Sequence, residues 1–228
     1  MENNQRLKEK LGYEFRDLKL LRNALTHSSS INETHQQYCD NNERLEFLGD
    51  AVLETVISER LYRLLPTEEE GRLTRLRASI VCEEYLAEIG HELGVGQALV
   101  LGKGEEQSGG RKRNSMIADG VEAIIGAIYL DGGFEEAQKA VLRLFSSVIQ
   151  KALEGKLYSD YKTALQERLQ VNGDVMIQYI LDRQEGPDHD KVFYTSVVVN
   201  GKVLGSGQGR RKKEAEQNAA KESMKDMR

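Results

Sequence analysis

Two groups of acidic side chains have the spacing to act together. Glu43, Glu46 and Asp50 stand at i, i+3 and i+7, and Asp119 and Glu122 at i, i+3. At about 100° per residue the first three fall within about 60° of one another, and the second pair also shares a helix face. Carboxylates aligned in this way repel unless solvent or a cation screens them. For either segment alone, a solvated acidic surface is a sufficient explanation. Together, two such segments gather Glu46, Asp50, Asp119 and Glu122 into a hard-oxygen site suited to Mg²⁺, with Glu122 the most direct ligand. Sites of this kind hydrolyse phosphodiesters. Two divalent ions about 3.5–4 Å apart activate a water and neutralise charge on the attacking and leaving oxygens. No Ser/His/Asp or Cys/His constellation competes with this reading.

The acids need helices to position them, and the apolar residues supply the pattern. Over 42–56, Leu45, Leu48, Val52 and Val56 form a stripe within about 80°, nearly opposite the acids. Over 115–130, Ile117, Val121, Ile124 and Ile128 do the same, with Asp119 and Glu122 on the far side. Ala123 and Gly126 flank those acids, so a second helix can approach closely there. Phe47 points beside the acids and away from its own core stripe. An exposed ring of that size is costly. In a symmetric dimer each Phe47 would enter a pocket on its partner.

The 228 residues suffice for a medium domain and a small one. The formal charge of −5 argues against a generally basic nucleic-acid coat. The acidic excess lies in residues 1–159, and the remainder is close to neutral with local basic clusters. Cys39 and Cys82 form no CxxC and no zinc pattern, which predicts reduced thiols and a cytoplasmic location. The start lacks an apolar signal segment, and no stretch approaches the length of a membrane span. No membrane association and no small-molecule cofactor are expected.

ERLEFLGDAVL at 43–53 and ADGVEAIIGAIYLDGG at 118–133 resemble the two signature helices of the ribonuclease III family. The resemblance implies cleavage of double-stranded RNA by a homodimer using Mg²⁺ or Mn²⁺, with 5′-phosphate and 3′-hydroxyl products. It implies processing of rRNA precursors and structured transcripts. It also places Glu70, with Glu43, as a further acid near the active centre, although Thr67–Glu70 after Pro66 equally reads as a helix cap. THSS at 26–29 fits the family pattern too, with His27 read as a hydrogen-bonded structural residue and 29–42 as a loop.

The rest of the first domain reads as short helices over 5–11 and 17–25, a helix over 82–92 and a last amphipathic helix over 134–153. Between the last two lies a Gly-rich loop over 102–113, whose basic residues Arg111 and Lys112 read either as an ordinary solvated loop or, with the resemblance, as a contact to an RNA backbone. Residues 154–160 read as a linker. After it the pattern changes to a helix over 161–170, strands over 174–183, 192–199 and 202–207, and a helix over 212–226. Asn200-Gly201 is a two-residue hairpin signal. This αβββα order, ending in GSGQGRRKKEAEQNAA, resembles a double-stranded RNA-binding domain.

The fold class expected is therefore an all-α endonuclease domain over 1–153 followed by a small α+β RNA-binding domain over 161–228. The resemblance implies that the small domain reads A-form shape through three contacts. These are Gln166 on its first helix, the loop with His189, and Lys212 and Lys213 at the start of its last helix. A non-cleaving duplex-RNA binder with the same fold is the alternative. The intact acids favour the enzyme.

Overall fold

The computed structural model describes residues 7, 9–34, 41–154, 157, 161–170, 175–187 and 191–225. The chain forms two compact units, Met1–Leu157 and Tyr158–Arg228. The first is helical: α1 (Leu18–Ala24), α2 (Ser28–Thr34), α3 (Glu43–Leu64), α4 (Glu70–Ile80), α5 (Glu83–Leu93), α6 (Val95–Ala98), α7 (Lys103–Gln107), α8 (Asn114–Gly132), α9 (Phe134–Leu144) and α10 (Ser146–Leu153). Among the described residues no helix is long and apolar enough to cross a membrane.

α8 is the axis of this unit. It is apolar nearly all round, the signature of a helix enclosed by others, and Ile117, Val121, Ile124, Ile125 and Ile128 are buried. α3 packs along it, burying Leu45, Val52, Leu53, Val56, Ile57 and Leu61. The apolar stripe continues past Val56 through Ile57 and Leu61, so α3 runs on to Leu64. The helix ends just before Pro66, because a residue preceding proline avoids helical geometry.

Two glycines set how closely these helices approach. A Cβ on Gly49 would sit 1.8 Å from the carbonyl oxygen of Glu122, and one on Gly126 would sit 2.2 Å from that of Leu45. The backbones touch at the level of the acids. We expect Gly49→Ala to force α3 and α8 apart at a cost of about 1–3 kcal/mol, lowering Tm by roughly 5–10 °C and weakening cleavage with it. Calorimetry with a cleavage assay checks this. An unshifted Tm would mean that the helices are not held at backbone contact.

Several local expectations are corrected. Part of the 29–42 loop is helical, as α2. His27 O accepts from Ser30 N and Ser30 Oγ at 3.0 and 2.8 Å, and Ile31 is buried to anchor the turn. The expected 102–113 loop contains α7 and a 3₁₀ turn, Gly110–Lys112, because Glu105 and Glu106 pair with Arg113 and Arg111. The 134–153 helix is interrupted at Phe145, whose ring is fully buried. At the start of α4 the preceding residues make no side-chain cap; Glu68 instead binds Arg72 at 2.7 Å. Leu157, inside the segment read as linker, is buried in the core of the first unit.

The second unit is α11 (Tyr161–Gln170), an antiparallel sheet in the order β1 (Ile177–Glu185), β2 (Val192–Val199) and β3 (Lys202–Gly209), and α12 (Lys212–Lys225). Asn200 and Gly201 have φ of 49° and 80°, as a tight hairpin requires. Leu165, Val197, Ala219 and Ala220 form its core. Gly205, Gly207 and Gly209 explain the glycine-rich motif. They alternate along β3, and a Cβ on each would strike Ser223, Ala219 and Ala215 respectively. A strand advances about 6.6 Å per two residues and a helix about 6 Å per four. The three glycines therefore match three successive turns of α12, which lies directly on the strand.

Candidate active site

Glu46 comes from α3, and Asp119 and Glu122 from α8. One carboxylate oxygen of each lies within 4.8 Å of the others. All three side chains are half-buried. Asp50 is exposed and stands outside that inner group, close enough for its charge to act on both Glu46 and Glu122. Glu43 is exposed and acts on Glu46.

The electrostatics report too much negative charge in one place. Burial, then the charges of Asp50, Glu46 and Asp119, push Glu122 up to about 8. Burial and the neighbouring acids Asp119, Glu43 and Asp50 raise Glu46, while burial and Glu83 raise Asp119. Three converging oxygen ligands with unbalanced charge fit a hard divalent cation such as Mg²⁺.

This arrangement couples stability to pH. Between the ordinary glutamate value of 4.5 and about 8, the folded chain keeps a proton on Glu122 that the unfolded chain has released. Stability therefore falls as pH rises through that window. We expect Tm in chelator to drop by several degrees from pH 5 to pH 8. Mg²⁺ should restore it at pH 8 and do little at pH 5. A chelated protein equally stable at both values would refute the charge crowding.

Of two neighbours of the cluster, Glu83 escaped the sequence reading and His27 was read there only as a hydrogen-bonded structural residue. Glu83, in the first turn of α5, raises Asp119, and His27, in the turn before α2, lowers it. Helical periodicity ties neither to the acids, since each arrives by packing of a separate element; for His27 the THSS resemblance was the one signal. Glu70 is not among the groups acting on the three acids. It lines an open recess of about 430 Å³ with Ser58, Leu61, Tyr62, Leu73 and Arg77, and accepts from Thr74 Oγ1 at 3.1 Å.

Arg111 is not free for RNA. Its Nη1 donates to the carbonyl oxygens of Gly96 and Leu99 at 2.8 and 2.7 Å, and its Nε to Glu106 at 2.9 Å. It is a strut between α6 and the following turn. Lys112 is exposed. Phe47 is 80% exposed, the largest exposure among the large hydrophobic side chains described.

In the second unit Gln166 is exposed on α11, and Lys212 is exposed as the first residue of α12. Lys213 follows it in the same turn, and His189 lies outside the described residues. Arg210 and Arg211, exposed at the same helix start, were not singled out from the sequence. Their place emerges only once β3 and α12 are joined. Arg210 N donates to Glu214 Oε2 at 2.7 Å and fixes that junction.

A helical unit that converges acids from two central helices, followed by an αβββα unit with a basic helix start, defines a nuclease coupled to a duplex-RNA-binding module. Residues 17–149 match the Ribonuclease-III-like family and residues 161–227 the Double-stranded RNA binding motif. Ribonuclease 3 of Pelotomaculum thermopropionicum is 51% identical over 96% of this chain and 90% of its own. That of Desulforamulus reducens is 50% identical over 97% and 90%. The ribonuclease III nuclease domain of Campylobacter jejuni, in a structure concerned with flexibility in a region involved in dimer formation, is 43% identical. Its TM-score is 0.58, with 63% of this chain and 96% of that chain covered. The chain belongs to the ribonuclease III family. It is an endoribonuclease of double-stranded RNA.

Proposed function

We propose that Glu46, Asp119 and Glu122, with Asp50 beside them, hold Mg²⁺ (Mn²⁺ substituting) for hydrolysis of RNA duplexes that leaves 5′-phosphate and 3′-hydroxyl ends. The observation that carries this is the convergence of three half-buried carboxylates on one point. Bound there, divalent cations supply charge neutralisation and an acidified water. Burial and the neighbouring acids push Glu122 up to about 8, so it holds a proton at neutral pH, and a divalent cation held by these acids would favour its ionised form. Asp50 stands exposed at the edge of this group. Gly49 and Gly126 keep the two ligand-bearing helices at backbone contact, so the acids converge without flexible reach.

Gln166, His189, Lys212 and Lys213 are proposed to hold the duplex, with Lys112 a further phosphate contact in the first unit. The α12 start adds its helix dipole to the lysine charge. Precursors of rRNA and structured transcripts are the proposed substrates. A cytoplasmic setting suits the free thiol of Cys82.

The protein is proposed to act as a homodimer. Glu70, apart from the acids within one chain, lines the recess proposed to receive Phe47 of the partner subunit. Phe47 adjoins Glu46, so seating it would bring Glu70 to the partner's acids. Full-length protein on a plain RNA duplex should cleave with Mg²⁺, be silent in chelator, and give ligatable 5′-phosphate ends. Binding without cleavage in Mg²⁺ would favour the non-cleaving alternative.

A further inference from the structure

His27 is held in a way that a merely structural histidine does not require. The Ser29 amide donates to its Nδ1 at 3.2 Å, and Ser29 Oγ lies 2.8 Å from the same nitrogen. Ser29 Oγ accepts from Gly102 N at 2.9 Å and keeps its own proton available for Nδ1. Nδ1 is thus an acceptor, and the ring proton sits on Nε2. The backbone fixes the ring as well. His27 N donates to Val100 O at 3.0 Å, and the adjacent Thr26 O accepts from Asn42 N at 2.8 Å. Asn42 O in turn accepts from Glu46 N at 2.8 Å. His27 therefore adjoins the residue that anchors the acid-bearing start of α3. The ring lies close enough to Asp119 to act on it electrostatically, and no hydrogen bond to Nε2 is formed among the described residues.

We propose that His27 is a substrate-contacting residue, its Nε2–H donating to a non-bridging phosphate oxygen of the RNA strand at the Glu46–Asp119–Glu122 cluster. The proposal rests on the nuclease reading above. Ionised carboxylates offer no donors, so a phosphate drawn to a cation on the acids needs donors on its other side. The Nε2–H of His27, on a half-buried residue near enough to act on Asp119 and with no acceptor among the described residues, supplies one.

The test compares His27→Asn with His27→Gln in the full-length protein with Mg²⁺. Asparagine keeps an acceptor near the Nδ1 position for Ser29 and loses the far donor. Glutamine places an amide N–H near the Nε2 position. His27→Asn should keep its Tm and its Mg²⁺ half-saturation, and lose about tenfold in kcat/KM on duplex RNA, the scale of a hydrogen bond to a charged group. His27→Gln should recover most of that loss. Wild-type kcat/KM in His27→Asn would overturn the proposal. So would a shifted Mg²⁺ dependence with unchanged KM for RNA, which would make His27 a positioning residue for Asp119. Equal losses in both variants with lowered Tm would reduce it to a strut. Wild-type protein must cleave in the same assay, and its failure would strike the functional reading itself.

Discussion

Glu122→Gln should leave duplex binding near wild type and reduce cleavage by about 10³-fold or more, on the order of 4 kcal/mol of barrier. The substitution keeps the volume of the side chain and its hydrogen-bonding capacity, and removes one charge. That charge matters because of its surroundings. Glu122 carries the largest upward push of the three clustered acids, to about 8, under the combined fields of Asp50, Glu46 and Asp119. A neutral amide there relieves the repulsion, so the variant should be at least as stable as wild type in chelator while binding Mg²⁺ poorly. Binding is insulated because the proposed duplex contacts Gln166 and Lys212 belong to the other unit. Single-turnover cleavage and a filter-binding isotherm on the same duplex separate the two effects. Cutting at even a tenth of the wild-type rate would remove Glu122 from the ligand set.

The acids were legible in the sequence because helical periodicity is a local property. The i, i+3 and i, i+7 spacings put Glu46, Asp119 and Glu122 opposite apolar stripes, and those stripes are buried except for Leu48, which is only partly covered. Gly126 was legible as a place of close approach, whereas Gly49, its counterpart on α3, was not singled out. What stayed hidden depends on tertiary packing. Glu83 and His27 reach Asp119 from elements distant in sequence, and neither sits in a periodic pattern with the acids. Arg111 reads as a basic loop residue until the carbonyls of Gly96 and Leu99 are brought under it. α2 was missed because a polar run with one buried isoleucine has no stripe to detect, and its first turn rests on the His27 carbonyl. In the second unit the alternation of apolar residues placed the strands well. β1 nonetheless starts at Ile177 and runs to Glu185, since backbone pairing with β2 carries it past the last apolar residues.

Phe47→Glu should abolish dimerisation at micromolar protein. Phe47 and Tyr62 are 80% and 73% exposed on the same helix, and Ala51, Glu54 and Ser58 lie between them at i+4, i+7 and i+11 from Phe47. These positions fall within about 80° around α3, giving a face with large rings at its ends and smaller groups between. Ser58 and Tyr62 also line the recess that includes Leu61 and Leu73. An antiparallel two-fold crossing of two α3 helices near residue 54 would set each Phe47 against the other chain's recess. Both contacts form at once because the same patch serves both chains. Burying one such ring is worth about 1.5–3 kcal/mol, so the pair supplies roughly 3–6 kcal/mol, or about 10²–10⁴ in Kd. Glutamate forfeits that and brings a charge into each recess, where Glu59 and Glu70 already outnumber the single Arg77. Phe47→Ala should weaken the dimer less than Phe47→Glu, and Phe47→Leu least. Sedimentation velocity across a concentration series measures the order. A Phe47→Glu protein that stays dimeric and cleaves normally would show that the exposed ring of α3 has no part in assembly.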